Sequence, residues 1–211
     1  MYFDNNNLEN NRNTIIVTGR GRVTAVPDLA IIRLGVLTSG EILSDVQEEN
    51  ARISQTILNS LRNMGVQDIR TFQYIIDKNY EFENNTRIDR GYSVRNIYEI
   101  QTGMIDNVGS IIDLAVSLGA NLVESITFEI SDSEQYYLEA LRQALINGTQ
   151  KAAAIAEVFN TGLDPVPARI IENSTPIPLA RTFLREDIVT TPIEPGTSQI
   201  EAFVTMEFNY I

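Results

Sequence analysis

The pattern of apolar positions is most regular between residues 132 and 163, where it predicts a long helix. Apolar or small residues recur at gaps of three and four, at Leu138, Leu141, Leu145, Gly148, Ala152, Ile155 and Phe159. This spacing places them on one helical face. Ser131 and Glu134 form a capping-box pattern, and Gly162 stands where a left-handed residue would end the helix. We expect this face to pack on a sheet, most closely at Gly148.

Upstream of this helix, strand and helix patterns alternate. In order they are a strand, a helix, a hairpin, a second helix and a strand, at Leu29 to Thr38, Ile42 to Met64, Ile69 to Phe82 with Tyr92 to Gln101, Asp106 to Leu118, and Leu122 to Ile130. Asn50 interrupts the apolar stripe of the first helix. The order β-α-β-β-α-β is ferredoxin-like. The sequence therefore predicts an α+β fold, in which this unit is followed by the long helix and by C-terminal antiparallel strands.

The hairpin has an unusual row of aromatic side chains, which makes it the candidate interface. Alternation puts its large residues on one face, with Lys78 breaking the row, and the candidate contacts are Tyr74, Tyr80, Phe82, Tyr92 and Tyr98. A two-stranded ribbon is marginal in water by itself. We expect either the proline-rich segment 175–197 or a second subunit to cover this face, and we favour the second. The sequence thus predicts a homo-oligomer, and a different protein partner is an alternative.

The two ends of the chain complete the predicted organisation. Residues 1–13 are polar and asparagine-rich, which predicts a disordered tail. A strand over Thr14 to Thr18 precedes Gly19 and Gly21, for which we expect a bulge or tight bend rather than a phosphate loop, because no helix follows. The last strand alternates from Ile200 to Tyr210. We predict one domain over 14–211, with sub-lobes at 29–131 and at 132–211 plus 14–26.

Composition limits the chemistry that this chain can perform. It has no cysteine and no histidine, so thiolate and histidine sites are excluded. The carboxylates Asp132 and Glu134 are best explained by capping, and Glu48 and Glu49 by a solvated helix face. The sequence predicts no catalytic residue, no metal ligand set and no cofactor. The protein is therefore expected not to be an enzyme.

Charge and hydropathy bear on partners and location. The formal net charge is −12, from 28 acidic and 16 basic residues. Such a protein repels nucleic acid and anionic membranes, so neither is an expected partner. The first residues lack the pattern of a signal peptide, and no apolar run is long enough to cross a membrane. These observations favour a cytoplasmic location without membrane insertion.

Three blocks of the chain together resemble the SIMPL-domain family. They are IIVTGRGRVTAVPDLAIIRLGV near the start, ALRQALINGTQKAAAIAEVFNTGLDPVPARIIEN in the long helix and beyond, and PGTSQIEAFVTMEFNYI at the end. The matching positions include Gly19, Gly21, Pro27, Asp28 and Gly162. For Asp28 we expect an Asx-type turn before a strand. The resemblance implies an α+β domain that tends to assemble. It also implies that bacterial members are often exported and that some are linked to oxidative-stress defence, and it supplies no catalytic residues.

The sequence leaves three functions open. The first is a non-enzymatic, self-assembling protein with a scaffold or stress-protective role. The second is a binding module for a small ligand or a protein, which would use the hairpin and the proline-rich segment. The third is a carboxylate-based, cation-dependent hydrolase. A large self-interface would favour the first, a deep apolar pocket the second, and a cluster of three or more carboxylates the third.

Overall fold

The computed structural model describes residues 13–83, 86–173, 181–183 and 195–211, without the side chains of 82, 83, 86 and 181–183. The tail predicted over residues 1–13, apart from Asn13, lies outside these ranges, and so does most of the proline-rich segment. Contacts group the described residues into two units. The three-stranded unit contains residues 13–25, 132–173 and 197–211. The five-stranded unit contains 26–83, 86–131, 181–183 and 195–196.

The described residues form eight strands and three α-helices, mostly where the hydrophobic pattern predicts them. In chain order they are β1 (Thr14–Ala25), β2 (Leu29–Gly40), α1 (Leu43–Asn63), β3 (Asp68–Glu83), β4 (Thr86–Thr102), α2 (Val108–Ser117), β5 (Leu122–Glu129), α3 (Ser133–Val158), β6 (Arg169–Glu172), β7 (Arg181–Phe183) and β8 (Ser198–Asn209), with one 3-10 turn at Ile105–Asn107. Helices and antiparallel sheets thus occur in one chain, which confirms the predicted α+β class.

The sheet of the five-stranded unit has the order β3-β4-β2-β5-β7. Every neighbouring pair is antiparallel. β4 lies between β2 and β3, and β2 lies between β4 and β5, so the two β-α-β crossings interleave. This arrangement confirms the ferredoxin-like order predicted for this part of the chain. β7 adds a short edge strand to β5, and it comes from the proline-rich segment 175–197.

The core of this unit lies between the sheet and the two helices α1 and α2. Its fully buried members come from β2, β4 and both helices, and they include Ile32, Leu34, Val36, Ile57, Leu61, Ile100, Val108, Ile111 and Ala115. Gly65 and Gly119 follow the two helices with φ values of 100° and 109°. Because that region of φ suits glycine, these residues end the helices where the sequence predicts.

Asn50 is buried in the contact between α1 and the sheet, although it interrupts the apolar stripe. Its Nδ2 atom donates to the carbonyl oxygens of Val36 at 3.1 Å and Val94 at 3.0 Å. Its Oδ1 atom accepts from the hydroxyl of Ser54 at 3.3 Å. A buried amide needs such partners, so this side chain ties α1 to β2 and β4.

The three-stranded unit has the order β1-β8-β6, and α3 packs on this sheet. β1 pairs with β8 without interruption from Thr14 opposite Asn209 to Ala25 opposite Ser198. The bulge or bend expected at Gly19 and Gly21 is therefore wrong, since both glycines are regular strand positions. A Cβ atom at Gly21 would overlap the carbonyl oxygen of Ala140, and one at Gly19 would overlap that of Ala144. The glycines let α3 approach the strand.

The buried face of α3 shares only Gly148 and Ala152 with the face that the apolar stripe predicts. The buried positions are mainly small residues four apart, at Ala140, Ala144, Gly148, Ala152 and Ala156, together with Tyr137. Leu138 is 54% exposed and Phe159 is 71% exposed. A helix that lies directly on strand glycines leaves room only for small side chains at the contact. Gly148 is nevertheless a point of close approach, because a Cβ there would lie 2.6 Å from the Met206 sulfur.

Both ends of α3 also differ from the prediction. The N-cap is Asp132, whose carboxylate accepts from the backbone N–H of Gln135 at 3.2 Å, so the Ser131 and Glu134 capping box is wrong. At the other end the helix stops at Val158, and Asn160 adopts the left-handed conformation with φ 57°. Asparagine tolerates that conformation better than other non-glycine residues. The C-cap role assigned to Gly162 is therefore wrong.

Candidate functional site

The hairpin of β3 and β4 extends beyond the rest of its sheet. β2 ends at Gly40 opposite Tyr92, whereas β3 and β4 stay paired as far as Glu83 opposite Thr86. We call residues 78–83 and 86–92 the hairpin ribbon. At its base, Gly91 has φ 79° and a Cβ there would overlap the carbonyl oxygen of Gly40, so only glycine fits. The sequence prediction of a long hairpin is confirmed.

One face of β3 and the ribbon carries a row of large side chains. Tyr74 lies opposite Asn96 and Ile76 lies opposite Val94, so both are on the side of the sheet that α1 covers. Beyond α1 this side is open, and Tyr74, Ile76 and Tyr80 are 50%, 40% and 41% exposed. Tyr92 is half-buried on the same face. We call Tyr74, Ile76, Tyr80 and Tyr92 the aromatic row.

Two cations, Lys78 and Arg87, contact the rings of the aromatic row. The Lys78 ammonium lies 5.6 Å from the ring centre of Tyr80 and 5.4 Å from that of Tyr92. The Arg87 guanidinium carbon lies 3.4 Å from the ring centre of Tyr80. At such distances a cation is attracted to the negative face of an aromatic ring. Lys78 also forms an ion pair with Asp89 at 2.7 Å, and this hydrogen bond raises the pKa of Lys78 and lowers that of Asp89.

The structure separates the five predicted interface residues. It brings Tyr74, Tyr80 and Tyr92 onto one accessible face. The side chain of Phe82 lies outside the described residues. Tyr98 is only 7% exposed, and its hydroxyl accepts from Asn96 Nδ2 at 2.6 Å. Alternation places Tyr98 on the correct face, but α1 covers that part of the face, so its assignment as a surface contact is wrong.

The opposite face of the same sheet holds an ion cluster that the sequence pattern does not predict. Glu99 is 3% exposed and accepts from Arg33 at 2.9 Å, from Arg70 at 3.0 Å and from Gln101 at 3.3 Å. The Arg33 guanidinium also lies 3.9 Å above the ring of Phe72. Burial alone would raise the pKa of Glu99, but the hydrogen bonds from Arg70, Arg33 and Gln101 outweigh it and lower that pKa. The available signal was Arg33, the single charge in an apolar strand.

The described part of the chain has an open cleft but no cluster of potential metal ligands. Within it, no group of three or more His, Cys, Asp or Glu side chains is placed to hold a metal ion. None of its helices has the length and apolarity to span a bilayer. The three-stranded unit has an open cleft of about 510 Å³. Its lining is Asn13, Gly162, Leu163, Asp164, Pro165, Asn209, Tyr210 and Ile211.

Comparison with known families gives the identity of the chain. The family model described as "SIMPL: Protein of unknown function (DUF541)" matches residues 15–208. This chain belongs to the SIMPL family. The match spans β1 to β8, so the resemblance found in three separate blocks of the sequence is confirmed over nearly the whole chain.

The curated relatives of this SIMPL chain are bacterial. It is 28% identical over 191 residues to the "26 kDa periplasmic immunogenic protein" of Brucella melitensis, covering 84% of this chain and 75% of the relative. It is 24% identical over 171 residues to the "Uncharacterized protein YggE" of Escherichia coli strain K12, covering 79% and 70%. The YggE protein of Edwardsiella ictaluri is 23% identical over 158 residues, covering 72% and 65%.

The Brucella relative corrects the expected location. Its name places that SIMPL protein in the periplasm, so the cytoplasmic location expected from the sequence is wrong. The expectation depended on the composition of the first residues of the chain.

The residues that carry the SIMPL resemblance have structural contacts. Gly19 and Gly21 lie under α3, and Pro27 is buried just before β2. The Asp28 carboxylate accepts from the Ser131 backbone N–H at 2.7 Å and from its hydroxyl at 2.6 Å, which lowers the pKa of Asp28. Asp28 therefore links the start of β2 to the segment after β5, instead of forming the expected Asx turn. Gly162 lies in the open cleft.

Proposed function

We propose that this chain is a non-enzymatic, self-assembling SIMPL protein that works in the periplasm and uses the hairpin ribbon for assembly. The observation that carries the proposal is the aromatic row. The compartment is supported by the name of the Brucella relative. The scaffold or stress-protective role is supported by the family resemblance alone.

The exposure of the aromatic row supports a contact surface. Tyr74, Ile76 and Tyr80 are each at least 40% exposed and follow one another along one face of β3. Monomeric proteins rarely leave contiguous apolar patches in water, and aromatic and arginine side chains are enriched at interfaces. The Arg87 guanidinium over Tyr80 gives this face both kinds of side chain.

The charge of the ribbon favours a second copy as the molecule that covers it. The whole chain has a net charge of −12, so two copies repel each other over most of their surfaces. The ribbon carries three basic residues, Lys78, Arg87 and Arg90, and three acidic residues, Glu81, Glu83 and Asp89, so its net charge is zero. The ribbon is thus a place where two acidic copies can approach without adding local repulsion to that of their distant charges.

The test is to shorten the ribbon and measure the solution mass by light scattering. Replacing residues 81–90 by Asn-Gly should lower the mass of the wild-type oligomer while the far-UV spectrum stays nearly native. The double variant Tyr74→Ser with Tyr80→Ser should act in the same direction, because it removes half of the aromatic row. Leu138→Ser is the matched control, since Leu138 is similarly exposed on α3.

Two outcomes would contradict the proposal. One is a wild-type monomer at tens of micromolar concentration. The other is a shortened variant that keeps the full oligomer mass, because the contacts would then lie elsewhere.

The same variants, exported in a bacterium that lacks its own SIMPL protein, test the protective role. Wild-type chain should raise survival in peroxide and the shortened chain should not.

A further inference from the structure

β3 is an edge strand, and its outer side is long and accessible. It has 16 residues and pairs with β4 on its inner side. Among the described residues, no strand pairs with its outer side. An edge strand offers a row of free N–H and C=O groups to another chain, and proteins usually block such edges with charges, prolines or bulges.

The hydrogen bonds of β2 show which residues of β3 point to the free edge. The Gly35 carbonyl accepts from the Asn121 N–H at 3.1 Å, and the Leu37 backbone bonds the Asn121 side chain at 2.7 and 2.8 Å. The backbone N–H and C=O groups of the odd-numbered residues of β2 therefore point towards β5, and those of the even-numbered residues point towards β4.

The strand register carries this alternation to β3. Val36 and Thr38 of β2 lie opposite Asn96 and Val94 of β4, which in turn lie opposite Tyr74 and Ile76. Asn96 and Val94 use their backbone groups towards β2. The backbone groups of Tyr74 and Ile76 consequently point away from β4, to the free edge.

The centre of β3 lacks the features that protect an edge. Residues 71–76 read TFQYII, with no charge, no proline and no glycine. Aromatic and β-branched residues of this kind favour strand pairing. The register with β4 shifts between Thr71 and Gln73 and again between Lys78 and Tyr80, and it is continuous from Gln73 to Lys78. The regular, unprotected part of the edge therefore begins at Gln73 and extends just past Ile76.

We propose that β3 of a second copy of this chain pairs with this edge, antiparallel, around a two-fold axis beside Ile75. This inference rests on the proposed self-assembly and assigns one of its contacts. Tyr74 of each copy would lie opposite Ile76 of the other, and each such pair exchanges two backbone hydrogen bonds. The two Ile75 residues would face each other as a non-hydrogen-bonded pair.

The side chains of this segment are complementary to themselves in that register. Tyr74 against Ile76 is an aromatic and β-branched pair, which stabilises a sheet. On the other face, Gln73 lies opposite Asp77, so an amide donor meets a carboxylate. No two like charges are opposed between Gln73 and Asp77. A two-fold contact closes on itself and needs no further partner.

The absence of cysteine from the chain allows a test of this register by disulfide trapping. Ile75→Cys should form a covalent dimer on mild oxidation of the full chain. Cα atoms of a non-hydrogen-bonded antiparallel pair are about 4.5 Å apart, within the range that a disulfide spans. The double variant Gln73→Cys with Asp77→Cys should also cross-link. Each of its single variants should not, because neither residue then faces a second cysteine.

The outcomes separate this inference from the proposed function. Cross-linking of Ile75→Cys at the background rate of the Gln73→Cys variant would overturn the β3 pairing. If the wild-type mass is still oligomeric in that case, self-assembly stands and only this contact is wrong. A monomeric wild type would overturn both. Binding of an unrelated extended peptide to this edge would leave the cysteine variants monomeric and would therefore also overturn the pairing.

Discussion

Glu99 on β4 is a nearly buried carboxylate that lies between two arginines, one on each neighbouring strand. Arg33 on β2 and Arg70 on β3 both bond it, and they are themselves 37% and 65% exposed. The arginines can therefore regain water if the carboxylate is removed. For this reason the cluster should contribute less than a fully buried ion pair, whose disruption costs several kcal/mol.

The lowered pKa of Glu99 makes the stability of the fold depend on pH. Its ordinary pKa is 4.5, and the folded value is lower. As pH falls, the unfolded chain therefore takes up this proton first. The stabilisation that ionised Glu99 gives the folded state is complete above its ordinary pKa. It is lost as pH falls through the lower pKa that Glu99 has in the folded protein. Glu99→Gln should lower the free energy of unfolding at pH 7 by about 1–3 kcal/mol. Urea unfolding at neutral and at acidic pH measures both effects.

The matched control for this prediction is Glu139→Gln. Glu139 forms an exposed ion pair with Arg142 on α3, and such pairs contribute little. In the Glu99→Gln variant the loss of stability on acidification should be smaller than in the wild type. An equal loss in both proteins would show that other carboxylates cause it.

Alternation along a strand predicts the face of a residue but not its surroundings. It placed Tyr74 and Tyr80 correctly, and Tyr98 correctly too, although α1 then covers Tyr98. Alternation does not hold at Phe72, whose ring lies under Arg33 on the opposite face, because the register with β4 shifts between Thr71 and Gln73. A bulge adds one extra residue to a strand, so the residues after it point to the opposite face from the one that alternation predicts. No clear feature of the sequence marks its position.

At the scale of elements, α3 packs so closely on its sheet that the helix backbone touches the backbone of β1. Ala140 and Ala144 of the helix lie over Gly21 and Gly19 of the strand. Close approach gives tight packing without large side chains. The larger apolar residues of α3 lie at its flanks, and Leu138 and Ile155 remain partly in water.

Substitutions of glycine in this unit should differ strongly in cost. Gly19→Ala and Gly21→Ala should each lower the free energy of unfolding by about 1–3 kcal/mol or more, because the new methyl group meets helix backbone. Gly148→Ala should cost less, since the Met206 side chain can move and alanine favours a helix by about 1 kcal/mol. Gly162→Ala should be nearly neutral, because nothing lies within 4 Å of its Cβ position. Thermal and urea unfolding measure the order.

The order of these four variants decides whether α3 lies directly on the strand glycines. If Gly21→Ala were as stable as Gly162→Ala, α3 would not lie on β1 at this point. Gly148→Leu should be less stable than Gly148→Ala, because a shift of Met206 alone cannot make room for the larger side chain.

The sequence predicted that α3 is a long helix with a close contact at Gly148, but it predicted only Gly148 and Ala152 of the buried face. Apolar periodicity weights large residues, and it selected Leu138, Leu141 and Leu145. The true face is set by the partner strand, whose two glycines accept only small residues. That pairing is visible only when β1 and α3 are considered together, because about 120 residues separate them. The ferredoxin-like order needed no such long-range information, since its elements follow one another.

At the scale of the whole molecule, charge opposes the assembly that the hairpin favours. Each copy has a net charge of −12 and a pI of about 4.4. The ribbon is neutral, and the contacts proposed at β3 are backbone hydrogen bonds and uncharged side chains. Association should therefore depend on apolar burial and strand pairing, while the distant charges of the two copies act against it.

Salt should consequently strengthen the self-association of this protein. The screening length is about 10 Å at 0.1 M salt and about 3 Å at 1 M, so added salt removes repulsion between distant acidic groups. It leaves short backbone hydrogen bonds almost unchanged. The weight-average mass at a fixed protein concentration, measured by sedimentation, should rise with sodium chloride for the wild type. The variant with the shortened ribbon is the comparison and should respond less than the wild type, because it keeps only the β3 edge as a contact. A mass that falls with salt would mean that charge pairs between copies hold the assembly together, and the contact surface would then have to be sought among the exposed arginines instead of the aromatic row.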